Sequence, residues 1–389
     1  MRELKQDNVC RAPSERRASR WRCCLAGLIA FGLLWAWTPG ADVHDGRSPA
    51  PGVVVAAGKP VKKVSTSVKR VSLGGKIFRV TTVRVPKGMQ PHVSFGKDRF
   101  GTTATMTRTA KRTGAKAAVN GTYFEAYGGR PEPYGTIINR GRVEHTSNYG
   151  TAIGFRQDGR AVMDSLRIEI SGQVTNAATE RTSSWYAYFV NRTPKRDGSA
   201  AVLYTPLRGN SLGFAYGRAV VVRGGVVKKV TAGRNVAIPK DGYVLVFTGT
   251  EKPMADRFHV GDQVSMSIRY TDRLGRPIDW DDVQVALGGG PRLVKDGKVA
   301  LNPRAEGFKE DKILSKSAMR SGIGILPDGS ILLATVPSAT MKQWAEIWKK
   351  MGAVQAMNLD GGASSGLIAN GRVVTRPGRE LSNVLWFSE

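Results

Sequence analysis

Cysteine is almost missing from this chain of 389 residues, which has only three, all within the first 24 positions. The rest of the chain therefore needs no disulfides, has no cysteine metal site and uses no thiol nucleophile. Histidine is also scarce, with four residues spread along the sequence, which argues against a metal site built from several histidines.

Long uncharged runs are absent except for residues 23–41, which follow a basic amino-terminal segment. A basic segment followed by an apolar run is typical of an export signal, so residues 1–41 are predicted to be a signal peptide or a retained amino-terminal membrane anchor. The positive-inside rule places the rest outside the cytoplasm in both cases. The predicted location is periplasmic or extracellular, with attachment to the inner membrane if the segment is kept.

Acidic residues are few: 31 Asp and Glu stand against 59 Lys and Arg, for a net charge of +28. Such an excess favours anionic partners. The bases are dispersed, with no aromatic-interleaved basic run and no helix-turn-helix pattern, which argues against nucleic acid. For an exported protein, the charge favours anionic envelope glycans or lipid head groups.

Turn signals recur between runs of β-forming residues beyond the leader. Residues 42–72 are rich in Pro, Gly, Val and Lys, and predict a linker or, at most, an edge strand. Ordered structure is expected to begin at residues 76–85, and residues 73–389 form the predicted domain. Residues 175–217 are weakly patterned and predict an inserted or peripheral piece. Hairpins are predicted at residues 137–143, 153–162, 219–230, 292–301, 322–336 and 366–376.

The spacing of the apolar residues predicts only two helices, at residues 105–113 and 337–351. In the second, Ser338 or Thr340 can cap the start and Gly352 supplies the end. No repeat period links the hairpins, so a propeller or solenoid is not expected. The fold class is α+β: a β-rich, mostly antiparallel sheet built from hairpins, with a few packed helices.

The strongest candidate site is a bend at residues 358–365, between a short apolar strand and a hairpin. It combines one carboxylate, two unhindered glycines and two hydroxyl groups, although an ordinary turn capped by serines would use the same residue types. A polar asparagine within the apolar strand needs a partner, which favours a site. The candidates are Asn358, Asp360, Gly361, Gly362, Ser364 and Ser365.

A second cluster breaks a buried strand at Asn120 and continues to Glu125. The Asn120 amide at a strand end and the Glu125 carboxylate could both face a ligand, with Tyr123 beside it. A turn whose aromatic residues belong to the core is the alternative, and spacing alone favours that alternative.

Two further clusters contribute glycines and an arginine. Gly289 and Gly290 belong to a glycine run that would let a ligand lie against backbone amides, though it matches neither a Walker loop nor a dinucleotide fingerprint. Arg320 stands at the entry of an apolar strand and could hold a phosphate or carboxylate through two parallel hydrogen bonds. A solvated arginine is the alternative. The polar segment 302–317 is long enough to act as a lid.

Taken in order, these motifs resemble the phosphodiester glycosidase family over about residues 104–389. They read Asn-Gly-x-Tyr-Phe from residue 120, Gly-Gly-Gly-Pro from 288, Arg-Ser-Gly-Ile-Gly from 320 and Asn-Leu-Asp-Gly-Gly-x-Ser-Ser from 358. The family includes a lysosomal N-acetylglucosamine-1-phosphodiester α-N-acetylglucosaminidase and many exported bacterial proteins. The resemblance implies hydrolysis of a sugar-1-phosphodiester at the glycosidic bond.

The resemblance also implies roles for individual residues. Arg320 would clamp the phosphate, and Asp360 would act as nucleophile, base or stabiliser of the oxocarbenium-like state. Asn358 and Asn120 would orient sugar hydroxyls or the phosphate, and Glu125 would supply a second carboxylate. No cofactor is implied with certainty, and a divalent cation beside Asp360 and Glu125 is left open.

The chain lacks the cysteine-rich extension of the animal members. The expected target is therefore a bacterial envelope polymer or exopolysaccharide with glycosyl-phosphate linkages. A non-catalytic exported module that binds anionic envelope polysaccharide is the alternative from a different functional class.

Overall fold

The computed structural model describes residues 63–389. The predicted signal or anchor over residues 1–41, and the first part of the predicted linker, lie outside this range. Within it, every helix is too short or too polar to cross a lipid bilayer.

Strands dominate the described residues and are labelled β1 to β26 in chain order. They are β1 Ser65–Leu73, β2 Lys76–Val85, β3 Gln90–Phe95, β4 Ala117–Asn120, β5 Ile137–Asn139, β6 Arg142–His145, β7 Thr151–Arg156, β8 Ala161–Asp164, β9 Arg167–Thr175, β10 Thr182–Ala187, β11 Phe189–Val190, β12 Ala200–Tyr204, β13 Arg218–Arg223, β14 Val226–Ala232, β15 Gly242–Thr248, β16 Gln263–Val264, β17 Ser267–Thr271, β18 Val283–Gly289, β19 Arg292–Lys295, β20 Lys298–Val299, β21 Ala318–Ile325, β22 Ile331–Ala339, β23 Gln355–Asn358, β24 Leu367–Ala369, β25 Arg372–Thr375 and β26 Asn383–Ser388.

Helices are few and short, as predicted. The α-helices are α1 Met106–Thr113, α2 Asp311–Leu314 and α3 Met341–Lys350, and the 3-10 segments are Gly96–Asp98, Pro206–Arg208, Gly249–Arg257 and Gly362–Ser364.

The strands form four sheets. The first has the order β1-β2-β22-β21-β23-β19-β20, and the second has nine strands, β10-β9-β16-β14-β13-β15-β12-β11, with β17 beside β9. A middle sheet, β6-β5-β18-β7-β8, and a terminal sheet, β25-β24-β4-β26-β3, complete the fold. Every strand pair described is antiparallel except β11 with β12. The β-rich, antiparallel fold class is confirmed, and all six predicted hairpins are present.

Two stretches differ from their predictions. Residues 65–72 form an edge strand, which is the alternative to a linker, and the expected start of ordered structure at residue 76 is wrong, because β1 pairs with β2 along its whole length. Only Val71 of β1 is buried, so the sequence of this strand does not alternate between apolar and polar residues. Residues 175–217 are not peripheral: they supply β10, β11 and β12 of the nine-stranded sheet. All five residues of β12 are buried, which removes the two-residue pattern expected of a half-exposed strand.

The middle sheet is buried on both faces. Ile137, Ile153 and Leu287 face a core shared with the first and terminal sheets. Their neighbours Ile138 and Ala152 face a second core, shared with the nine-stranded sheet. Since successive side chains of a strand point to opposite faces, apolar residues occupy consecutive positions here.

Helix α3 packs on the outer face of the first sheet, where Trp344 and Trp348 are fully buried. The strand beneath carries Gly322 and Gly324. A Cβ atom there would lie 3.0 Å and 2.7 Å from the Trp348 ring, respectively. These two glycines of the arginine motif therefore serve helix packing rather than ligand approach.

Thr340 begins α3 with a capping box. Its hydroxyl accepts from the Gln343 backbone N–H at 3.2 Å, and the Gln343 side chain accepts from the Thr340 backbone N–H at 2.9 Å. We expect Thr340→Ala to lower the free energy of unfolding by about 1 kcal/mol, because one buried helix donor loses its acceptor. Urea denaturation measures this loss. Thr340→Ser keeps the acceptor and should cost less than Thr340→Ala, and equal losses would contradict the capping role.

Candidate active site

A cavity of about 640 Å³ opens where β23 ends. Its wall combines residues that are far apart in the sequence and includes aromatic, acidic and basic side chains. The lining residues are Tyr123, Phe124, Glu125, Ala126, Tyr127, Tyr134, Tyr149, Arg192, Gly307, Phe308, Glu310, Lys312, Ile313, Ala318, Arg320, Asp360, Gly361, Gly362, Ala363, Ser364 and Arg379. Asp360 and Arg320, which the motifs predicted to share one hollow, line the same cavity.

Asp360 is placed by its backbone. Asn120 donates from Nδ2 to the Asp360 carbonyl oxygen at 2.7 Å, and its Oδ1 accepts from the Gly366 N–H at 3.1 Å. The next residue passes close to the first sheet, since a Cβ atom on Gly361 would lie 2.8 Å from the Met319 carbonyl oxygen. Gly362 has φ +58°, a conformation that favours glycine. The Asp-Gly-Gly sequence thus fixes a bend that aims one carboxylate into the cavity.

The Asp360 carboxyl has an unusual proton affinity. Burial raises its pKa to about 6, although the Ser364 hydroxyl, the nearby Lys312 and Arg379 charges and the Gly361 N–H all favour the ionised form. Desolvation therefore has a larger effect on the pKa of Asp360 than the two cations and two hydrogen bonds that act in the opposite direction. A carboxyl that gives up its proton near neutral pH is suited to proton transfer or nucleophilic attack.

Asn358 does not reach the cavity, contrary to the predicted contact with substrate. It is buried, and its Nδ2 donates to the Tyr123 hydroxyl at 2.7 Å, the Leu359 carbonyl oxygen at 2.6 Å and the Gly290 carbonyl oxygen at 3.3 Å. The Asn120 side chain also forms its hydrogen bonds with backbone groups. The two asparagines are therefore positioning residues: the Asn120 amide and the Asn358 Nδ2 have partners, whereas the buried Asn358 Oδ1 has none among residues 63–389.

The glycine run also lies behind the cavity wall rather than in it. The Gly290 carbonyl oxygen accepts from the Tyr123 hydroxyl at 2.7 Å, and the Gly290 N–H donates to the Asn358 carbonyl oxygen at 2.8 Å. A Cβ atom on Gly289 would lie 2.9 Å from that same carbonyl oxygen. The predicted ligand nest at Gly289 and Gly290 is wrong, because the protein itself uses these groups. Ser365 is buried and likewise does not line the cavity.

Arg320 borders the cavity but cannot clamp a phosphate as predicted. Its Nε donates to the Ala339 carbonyl oxygen at 2.8 Å, and its Nη2 donates to the carbonyl oxygens of Lys312 and Lys316. Two parallel hydrogen bonds to one anion would need nitrogens that are already engaged. Arg320 instead fixes the segment that carries Lys312.

Glu125 stays ionised at the cavity wall. The Tyr134 hydroxyl donates to its Oε2 at 2.6 Å and the Tyr127 N–H to its Oε1 at 3.1 Å. These hydrogen bonds lower the pKa of Glu125. A carboxyl with a lowered pKa is a poor proton donor, so Glu125 is not suited to act as a general acid.

Several lining residues had no signal in the sequence analysis. Arg379 belongs to none of the motifs, yet its guanidinium carbon lies 5.1 Å from the Tyr127 ring centroid and its Nη2 donates to the Tyr127 hydroxyl at 3.2 Å. Arg192 and Tyr149 belong to no motif. Lys312 lies in the segment predicted as a lid, which packs through buried Phe308 and lines the cavity.

Within residues 63–389, no group of three or more His, Cys, Asp or Glu side chains is arranged to hold a metal ion. The two carboxylates named as potential cation ligands, Asp360 and Glu125, each accept hydrogen bonds from protein donors.

The comparisons with known proteins support three of the four motifs. The phosphodiester glycosidase family model matches residues 216–388, which confirms the resemblance over this part of the chain, and the motif that begins at residue 120 lies outside the match. A hypothetical protein from Synechocystis is 23% identical with a TM-score of 0.75, covering 84% of this chain and 62% of that protein. A protein of Burkholderia pseudomallei K96243, described as a putative exported protein, is 20% identical with a TM-score of 0.65, covering 80% of this chain and 74% of that protein.

A third structure is the catalytic domain of zebrafish N-acetylglucosamine-1-phosphodiester α-N-acetylglucosaminidase, auto-inhibited by its propeptide. It is 14% identical with a TM-score of 0.48, covering 86% of this chain and 85% of that domain. No match was found among curated proteins. The chain thus spans about 62% of the length of the Synechocystis protein, and at these identities the first two similarities show a shared fold.

Proposed function

Because residues 216–388 match the phosphodiester glycosidase family, we propose that this protein is a hydrolase that cleaves sugar-1-phosphodiesters at the glycosidic bond. The observation that carries the proposal is Asp360, a carboxyl with a pKa of about 6, aimed into a cavity that also presents cations. The family match supports the reaction class, and the cavity supports the choice of residues.

The phosphomonoester that departs is a good leaving group because its negative charge is spread over several oxygens. The reaction therefore needs little general-acid help, which agrees with the ionised state of Glu125. It does need charge neutralisation at the leaving phosphate. Lys312 and Arg379 both line the cavity and act on the Asp360 carboxyl, and neither forms an ion pair with an acidic side chain among the described residues. In this proposal they bind the phosphate. Arg320 holds the segment that carries Lys312 through its hydrogen bonds to the Lys312 and Lys316 carbonyl oxygens.

The bond changes follow directly. The C1–O bond breaks, its electron pair leaves with the phosphate oxygen, and a phosphomonoester departs. Water supplies the new oxygen at C1, with ionised Asp360 acting beside the reacting carbon as base or nucleophile. Inversion at C1 would identify a base and retention a nucleophile.

The cellular setting is part of the proposal. A net charge of +28 and the signal-like amino terminus support an exported protein that meets polyanions. We propose an envelope polymer or exopolysaccharide with glycosyl-phosphate linkages as the target, and either cleavage or retention of the leader at the membrane.

The full chain should hydrolyse N-acetylglucosamine 1-(methyl phosphate) in water enriched in ¹⁸O. The label is expected at the C1 hydroxyl of the released sugar, with none in methyl phosphate, and mass spectrometry of both products measures it. Label in the phosphate would show cleavage of the P–O bond and refute the proposal. Binding without turnover, for this compound and for uridine diphosphate N-acetylglucosamine, would favour the non-catalytic glycan-binding module.

A further inference from the structure

Arg192 is a cation of the cavity wall that the proposed reaction leaves unused. Its guanidinium carbon lies 4.6 Å from the centroid of the Phe189 ring. Within residues 63–389 its guanidinium makes no hydrogen bond and no ion pair, although it lines the cavity and is only partly exposed. A guanidinium on a cavity wall whose N–H groups meet no protein acceptor is available to bind an anion.

The backbone on both sides of Arg192 is firmly held. Asn191 is fully buried, and its Nδ2 donates to the Glu144 carbonyl oxygen at 3.0 Å and to the Thr205 hydroxyl at 2.9 Å. On the other side, the Thr193 N–H and hydroxyl both donate to the Glu132 carboxylate, at 2.8 Å and 2.6 Å. Arg192 is thus presented to the cavity from a rigid position, as a binding residue requires.

Arg192 acts at a different part of the cavity from the cations assigned to the phosphate. The Asp360 carboxyl responds to Lys312 and Arg379. Arg379 packs over the Tyr127 ring, at 5.1 Å from its centroid, whereas Arg192 packs over the Phe189 ring. Tyr149 lies near both regions: burial raises its pKa, which the Arg192 charge lowers and the Asp360 charge raises. The cavity therefore offers an anion site near the reacting bond and a second cation away from it.

We propose that Arg192 binds a second anionic group of the substrate, so that the preferred sugar-1-phosphodiester carries a negative charge in addition to the phosphate being cleaved. This inference rests on the proposed function and narrows its substrate class. The second charge can sit on the alcohol side of the phosphate or on the sugar. In both cases its chemistry is that of a carboxylate or phosphate that accepts two parallel hydrogen bonds from the guanidinium.

Three phosphodiesters separate these sources. N-Acetylglucosamine 1-(methyl phosphate) has no second charge, N-acetylglucosamine 1-(carboxymethyl phosphate) has one on the alcohol side, and glucuronic acid 1-(methyl phosphate) has one on the sugar. Arg192→Gln should lower kcat/KM about tenfold to a hundredfold for one of the two compounds with a second charge, and change it less than about twofold for the compound without one. Arg192→Lys should recover part of the loss, because it restores charge without the fork.

Arg196→Gln is the matched control. Arg196 also lies over an aromatic ring, 5.7 Å from the Tyr216 centroid, and it does not line the cavity. Its variant removes the same charge and should leave the ratios between substrates unchanged. Equal losses on all three compounds for Arg192→Gln, or no loss on any, would overturn the inference.

Failure of the proposed function gives a different result. If the wild type hydrolyses none of the three compounds, the reaction proposal fails, and equilibrium binding by calorimetry then decides the inference. The wild type must bind one compound with a second charge more tightly than the compound without one, and Arg192→Gln must lose that preference. Equal affinities in the wild type would overturn the inference.

Discussion

Asp360→Asn should reduce kcat by about 10³-fold or more while leaving the fold intact. The substitution keeps the size of the side chain and an oxygen that can accept from Ser364 and Gly361, but it removes the only lining carboxyl whose pKa is raised to about 6. Initial rates with N-acetylglucosamine 1-(methyl phosphate) measure the loss. Asp311→Asn, on an exposed residue of α2 outside the lining, is the matched control and should retain full activity.

The pH profile of the wild type supports the same assignment. If the ionised carboxylate is the active form, kcat should rise as the pH passes through about 6 and then level off. A profile that falls through the same range would show that protonated Asp360 acts as an acid, and it would contradict the proposed role.

Stability offers a readout that does not depend on the substrate. The Asp360 carboxyl binds its proton more tightly in the folded state, where its pKa is about 6, than in the unfolded chain, where the pKa is 3.8. Ionised Asp360 therefore lowers the stability of the wild type as the pH rises from about 4 to above 6. Asp360→Asn should be more stable than the wild type by about 1–3 kcal/mol at pH 8, and nearly equal at pH 4. An active, destabilised variant would contradict both the site and its electrostatics.

Local signals in the sequence were sufficient for the elements that frame the site. The threonine cap of α3 and the glycines of the hairpin turns depend on neighbouring residues. The bend at Asp360 follows from Gly361 and Gly362 for the same reason. These features could be predicted because the backbone conformation is decided within a few residues.

The direction of side chains could not be predicted in this way. Asn358 and Asp360 lie two positions apart, yet the first points behind the wall to Tyr123 and the second into the cavity. Arg320 matches a family motif, but three backbone carbonyl oxygens take up its Nε and Nη2. Such assignments depend on which distant segment packs against the residue.

The two cavity arginines that the sequence analysis did not identify show the same limit of prediction. Arg192 comes from the nine-stranded sheet region, in a stretch whose fully buried strand hides its pattern. Arg379 comes from the loop before β26. Neither has a neighbour in sequence that identifies it as part of a site, because the cavity is formed only when the sheets pack together.

The second large predicted effect is the loss of stability when a buried ion pair next to the Arg192 segment is broken. Arg208 and Glu132 are both nearly inaccessible and form a salt bridge. Arg208 also donates to the Leu212 carbonyl oxygen, from Nε at 3.1 Å, and to the Asn191 carbonyl oxygen, from Nη1 at 3.0 Å. We expect Arg208→Met to lower the free energy of unfolding by about 3–5 kcal/mol, since it leaves the Glu132 charge buried without its counterion.

Equilibrium urea denaturation measures that loss, and Arg223→Met provides the matched control. Arg223 pairs with Asp241 at the surface, so the control should cost far less than Arg208→Met. Adding Glu132→Gln to Arg208→Met should recover part of the loss, because the buried charge is then gone. Similar losses in Arg208→Met and Arg223→Met would mean that the buried pair is not what holds the Arg192 segment in place.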